Sequence, residues 1–214
     1  MTGVQTCALP IFILVAVLAA IGWAFPLFHV LPLRASRAAV EQKAFNADEY
    51  AAEFWRAKLT PRLAQAADAR AVLDGLRRDA AATGKQYGRT LGMSDSVLYF
   101  IRGTGTITAA DDRGITLALD GAGAPALLLK TGLLFGNTVR DATGLLDVNA
   151  FADSQDFNAI SAALNKIVET QVLPVLKAAA QPGKRLRFTA ALEVAAGAEN
   201  DRPLVAIPVE GSGP

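Results

Sequence analysis

A chain of 214 residues has room for one domain of ordinary size even after a membrane-spanning segment is set aside. Its formal charge of +1, with acids and bases interspersed, supplies neither the basic field that recruits nucleic acid nor an acidic tail. One cysteine, Cys7, and one histidine, His29, exclude an intrachain disulfide, a Cys/His metal cluster and nucleophilic mechanisms that need an activating histidine, so no metal or cofactor is called for.

Met1 to Leu33 contains no charged residue, and residues 12–33 are long enough to cross about 30 Å of hydrocarbon as a helix. Arg34 and Arg37 end the run, and Pro26 and Pro32 predict a kinked exit. The stretch therefore reads as a retained signal-anchor helix. A buried core helix and a cleaved signal peptide are the competing readings, the second lacking a small-x-small site before the charged segment. Cys7 precedes the apolar run, the wrong place for a lipid attachment site. Residues 1–11 carry no Lys or Arg and look like a translated sequencing-adapter remnant, a non-native leader. Without a basic leader, Arg34, Arg37 and Lys43 alone would point the topology the wrong way.

Residues 34–96 read as a helical lead. Asn46 is placed to cap a helix, with Glu49 three residues on reaching back and Phe45 packing on Tyr50. Thr60-Pro61 ends that helix and opens another, and Leu63, Val72, Leu73 and Leu76 carry an apolar stripe to about Ala82. Thr83-Gly84 and Gly88 to Gly92 break the pattern.

From Val97 the period becomes two, with Tyr99, Ile101 and Ile107 on one side and Arg102, Thr104, Thr106 and Thr108 on the other. Gly103 and Gly105 share the apolar side, where a strand bending around a small barrel has no room for a side chain. Asp111 to Gly114 is a turn, and strands follow at Ile115–Leu119 and Ala126–Lys130. Asp153 to Asp156 caps a long helix with Ile160, Leu164, Ile167, Val168, Val172 and Val175 on one face, kinked by Pro174. Leu186 to Leu192 alternate as a fourth strand, and Leu204–Val209 form the last.

Residues 97–214 thus run strand, strand, strand, helix, strand, strand. This is the order of an OB-like five-stranded antiparallel barrel with its helix between strands 3 and 4, so the fold class is α+β, with 34–214 one globular unit. An open antiparallel sheet crossed by one helix has the same periodicity; the glycine pair favours the barrel.

Three ordered segments, Tyr99 to Gly105, Asn137 to Ala142 and Phe151 to Asn165, resemble the domain-of-unknown-function 2291 family of predicted periplasmic lipoproteins. So do Phe54-Trp55 with Lys58 and Pro61, and Gly84 to Gly88, the match spanning about Phe25 to Val209. The resemblance implies export, an N-terminal anchor and genes that commonly lie beside sugar-type ABC importers, and it implies no reaction. Lacking a usable lipid attachment box, this chain is expected to be held by its helix.

Arg102 on a Thr-rich strand face, and Arg140-Asp141 after a Gly-Asn turn, are candidates to bind a carboxylate, phosphate or sugar hydroxyl. The structural alternative pairs Arg140 with Asp141 or a carbonyl to hold the barrel to its helix. Asn137, Asp141 and Gln155, with Asp153 and Asn158, would line a polar groove at one end, although capping duty explains most of them. Asp111 and Asp112 sit in a turn, and Gly103-Thr104-Gly105 lies inside a strand, so neither reads as a catalytic pair or a phosphate loop. Tyr50, Phe54 and Trp55 form either an exposed aromatic patch or a helix-docking stripe.

The expected function is non-enzymatic: a single-pass protein of the cytoplasmic membrane whose periplasmic domain assists sugar ABC transporter components. The alternative is a carbohydrate-acting enzyme with a carboxylate pair about 5 to 9 Å apart. Nucleic-acid binding, the third reading, lacks basic strands interleaved with exposed aromatics beyond Arg102, Arg185 and Arg187.

Overall fold

The structure, a computed structural model, describes residues 12–17, 45–92, 94–121, 126–151, 153–195 and 203–213. The chain divides into two compact units, Met1–Phe45 and Asn46–Pro214. In the first, residues 12–17 are helical, with Phe12, Ile13, Leu14, Val15 and Val17 all exposed. Among the described residues no helix is long and apolar enough to cross a membrane. Most of the expected span 12–33, and the leader 1–11, lie outside the described residues.

The second unit opens with α1 (Ala47–Phe54), capped as its sequence predicts: the Asn46 carboxamide oxygen accepts the Glu49 amide at 3.1 Å. A π turn, Trp55–Leu59, and a 3-10 segment, Thr60–Gln65, with Pro61 in its first turn, lead to the short strand β1 (Ala67–Asp68). Helix α2 (Ala69–Arg78) buries Val72, Leu73 and Leu76. The apolar stripe does not run unbroken to Ala82, because Asp79 leaves helical geometry and its carboxylate accepts the Ala82 amide at 2.9 Å, starting α3 (Ala80–Tyr87). Helix α3 passes straight through Thr83-Gly84, where a break was expected. The Thr83 hydroxyl bonds the Asp79 carbonyl at 2.8 Å. At Gly75 an added Cβ would stand 2.5 Å from that hydroxyl, so α2 and α3 pack through a glycine contact.

Strand β2 (Gly88–Arg89) pairs with the start of the long β3 (Ser96–Asp111), which turns at Asp112-Arg113 into β4 (Gly114–Leu119) and then β5 (Ala126–Lys130). After the helices come β6 (Arg185–Ala195) and β7 (Leu204–Ser212). The pairings β3–β4, β4–β5, β5–β7, β7–β6 and β6–β3 form a closed circuit. One of them, β5 with β7, is parallel, so the ring is mixed where an antiparallel one was expected. The alternation read from the sequence matches burial: Tyr99, Ile101, Ile107, Leu186, Phe188, Ala190 and Leu192 are at most 1% exposed. At Gly105 an added Cβ would lie 2.7 Å from the Ala118 carbonyl oxygen, so the close approach of β4 excludes a side chain there. Pro208 sits in mid-strand opposite Ala190, next to a register shift at Thr189/Ala190 that tolerates its missing donor.

Between β5 and β6 lie α4 (Thr138–Ala142), a 3-10 turn at Val148–Ala150, and α5 (Ser154–Ile167), whose first turn is capped by Asp153 accepting the Gln155 amide at 2.7 Å. A π turn, Val168–Val172, separates α5 from α6 (Leu173–Ala179), which carries Pro174 in its first turn. The wider turn shifts the buried face by about one residue, so Leu173 and Leu176 are buried while Val175, expected inside, is exposed. The loop from β5 to α4 is pinned by the Leu134 amide donating to the Glu169 carboxylate at 2.7 Å and by Asn165 donating to the Gly136 carbonyl at 3.0 Å. Its neighbours Leu133 and Phe135 stand exposed.

Candidate functional site

A groove of about 700 Å³ opens across β3, β6 and β7, walled by the 3-10 segment and the start of α2. Strand register builds its polar surface in two rows. Asp68 of β1 lies opposite Arg102, which lies opposite Thr189, which lies opposite Glu210. In the second row Thr104 faces Arg187 and Arg187 faces Ser212. Gly103 and the buried Phe188 lie between them, and at Gly103 an added Cβ would come within 3.1 Å of Ala69 and 3.3 Å of the Phe188 ring. The side-chain-free position lets α2 sit close against the strand.

The charges in the groove differ in their commitments. Asp68 accepts the Ala71 amide at 2.8 Å as the cap of α2, and Glu210 accepts the Thr189 hydroxyl at 3.2 Å. Asp120 pairs with Arg185 at 2.5 Å, and its carbonyl takes Arg70 at 2.7 Å. Arg102 and Arg187 are exposed, and neither guanidinium has a hydrogen-bond or ion-pair partner among the described residues.

The other candidates sit elsewhere. Arg140, 5% exposed on α4, donates from Nε and Nη2 to the two carboxylate oxygens of Asp141 at 2.6 and 3.0 Å. Its Nη1 donates to the Phe157 carbonyl at 3.1 Å, with Asn158 at 3.4 Å, and its Cζ lies 3.7 Å above the Phe157 ring. This is an internal strut joining α4 to α5, the structural alternative the sequence also allowed, and four of its five donors are spent on the protein. Asn137 precedes α4, is exposed and makes no side-chain cap bond. Gln155 is exposed in the first turn of α5. Of the five candidate residues, only Arg102 lines the groove.

Arg187 is what sequence reasoning passed over as a site residue. Its position on the same polar strand face as Thr189 was visible, but its register against Arg102 was not. Asp111 holds the β3–β4 turn: its carboxylate accepts the Arg113 and Gly114 amides at 2.8 and 3.2 Å and pairs with the Arg113 side chain at 3.1 Å. The Arg113 amide and guanidinium, followed by the Gly114 amide, hold its pKa below the ordinary carboxylate range. The aromatic stripe of α1 docks inward: Phe54 is buried and Tyr50 packs edge-on against Phe151 at 5.5 Å. Among the described residues no group of three or more His, Cys, Asp or Glu side chains is arranged to hold a metal.

The fold is of the OB class. A crystal structure of an OB-fold protein from Thermotoga maritima MSB8 matches with a TM-score of 0.72 and 30% sequence identity, over 80% of this chain and 99% of that one. The chain itself belongs to the predicted periplasmic lipoprotein family DUF2291, whose model matches residues 13–210. No curated protein matches it.

Proposed function

We propose that this protein is a non-enzymatic accessory binding protein, tethered by its N-terminal apolar segment to the outer face of the cytoplasmic membrane and working beside a sugar-type ABC importer. The observation that carries the binding role is the groove on β3, β6 and β7, with two arginine side chains that have no partner among the described residues. Membership of a periplasmic lipoprotein family supports the compartment. The exposed apolar side chains of residues 12–17, inside an uncharged run, support helical anchoring, and an OB-like barrel gives the groove a rigid frame.

The geometry weighs against a glycosidase-type carboxylate pair. Asp68 and Glu210 share a row but stand three strand spacings apart, about 14 Å at the backbone. Acid and base catalysis at a glycosidic bond needs roughly 5 to 9.5 Å. The test is affinity purification of the full-length protein from cross-linked membranes. Co-recovery of importer subunits is expected; recovery of the protein from the soluble fraction, or from membranes with no importer subunit attached, refutes the proposal.

A further inference from the structure

We infer that the groove takes a small polyhydroxylated molecule bearing one acidic group, a sugar acid or a sugar phosphate, with that group bridged by Arg102 and Arg187. The inference rests on the groove being the ligand site. Because Arg102 lies opposite Thr189 and Arg187 opposite Thr104, the two arginines are diagonal neighbours on one sheet face. Their Cβ atoms are then about 7 Å apart, a separation that long side chains close over a shared anion.

The Asp68, Asp120 and Glu210 carboxylates each have an internal donor, whereas the two guanidinium groups have no partner among the described residues. Asp68 and Glu210 keep their charge, since their donors are neutral. On β3 and β6, however, the two guanidinium groups meet across the diagonal with the hydroxyl residues Thr104 and Thr189 opposite them, so the local field between them is positive and favours an anion there over a cation or a neutral sugar. Asp68 and Glu210 flank Arg102 and Thr189 along one row, with Arg187 in the row beside it. Carboxylates on both sides repel a second acidic group, and their remaining lone pairs accept hydroxyl protons. Thr104 and Ser212 add hydroxyls beside Arg187. A volume of about 700 Å³ holds one or two sugar rings.

The experiment is isothermal titration calorimetry on the full-length protein in detergent micelles, with glucuronate, glucose 6-phosphate, glucose and inorganic phosphate as probes. Saturable binding of glucuronate or glucose 6-phosphate is expected, with glucose and inorganic phosphate at least tenfold weaker. Which of the two acids binds tighter tells carboxylate from phosphate recognition. Arg102→Gln and Arg187→Gln should each weaken binding by about ten- to a hundredfold while keeping the wild-type melting temperature. Arg113→Gln, in the β3–β4 turn outside the groove, should leave affinity nearly unchanged. Glucose matching glucuronate, unchanged binding in both variants, or no binding of either acid overturns the inference. If importer subunits still co-purify in that event, the accessory role stands and only the ligand class falls.

Discussion

Removing the Arg140 guanidinium separates a structural strut from a ligand contact. In Arg140→Met the aliphatic volume is roughly kept, but Asp141 loses its bidentate partner, the Phe157 carbonyl loses a donor and the ring loses a cation at 3.7 Å. Breaking a buried pair from one side costs about 3 to 5 kcal/mol. Asp141 is 13% exposed and can recruit some water, which moves the figure to the lower end. The lost cation contact adds about 1 kcal/mol. A total near 4 kcal/mol lowers the melting temperature of a domain this size by about 8 to 16 °C. Urea unfolding of the full-length protein, followed by tryptophan fluorescence, measures it. The double replacement Arg140→Met with Asp141→Leu should recover much of the loss, since no charge is left unpaired. A single-variant loss under 1 kcal/mol, or a double variant equal to the sum of the singles, would refute the strut.

Gly105→Ala drives a methyl group to 2.7 Å from the Ala118 carbonyl and should cost about 1 to 3 kcal/mol, while Gly132→Ala, with no atom nearer than 3.9 Å, should stay within about 0.5 kcal/mol in the same melt. The buried Ser161 hydroxyl has no hydrogen-bond partner among the described residues, so Ser161→Ala should stabilise by about 1 kcal/mol; a loss of that size would mean the hydroxyl is satisfied. Asp111 has its folded pKa depressed, so the stability it contributes is present above the unfolded value near 3.9 and is lost as pH falls through the lower folded value. In Asp111→Asn the decline in melting temperature below about pH 4 should therefore be shallower, and an unchanged acid limb would refute the turn's role.

Much of the architecture was legible because it is written in local periods. The switch to a two-residue alternation at Val97, the Asn46 and Asp153 caps and the Asp111 turn each depend on neighbours within a few residues, and all appear where the pattern puts them. The misread places are those where a distant or bulky partner intervenes. Gly84 stays helical although glycine is a weak helix former, in a helix that packs on β3. The π turn at Val168–Val172 rotates the following face, exchanging Val175 for Leu173 and Leu176. No single-sequence period signals an inserted residue in a helix.

The candidate site divides the same way. Arg102 was visible as a charge on a hydroxyl-rich strand face, and Arg140-Asp141 as adjacent opposite charges in sequence; the amino-acid order determined the faces and the caps. Whether Arg140 points at a ligand or at Phe157 is settled by the packing of α4 on α5. That Arg187 comes beside Arg102, and Glu210 into the same row, depends on the register of three strands far apart in the chain, with a shift at Thr189/Ala190. Register is decided by the sum of many cross-strand contacts and by how the ring closes, and a one-residue slip would turn these side chains to the other face. Such sums exist only in the folded molecule.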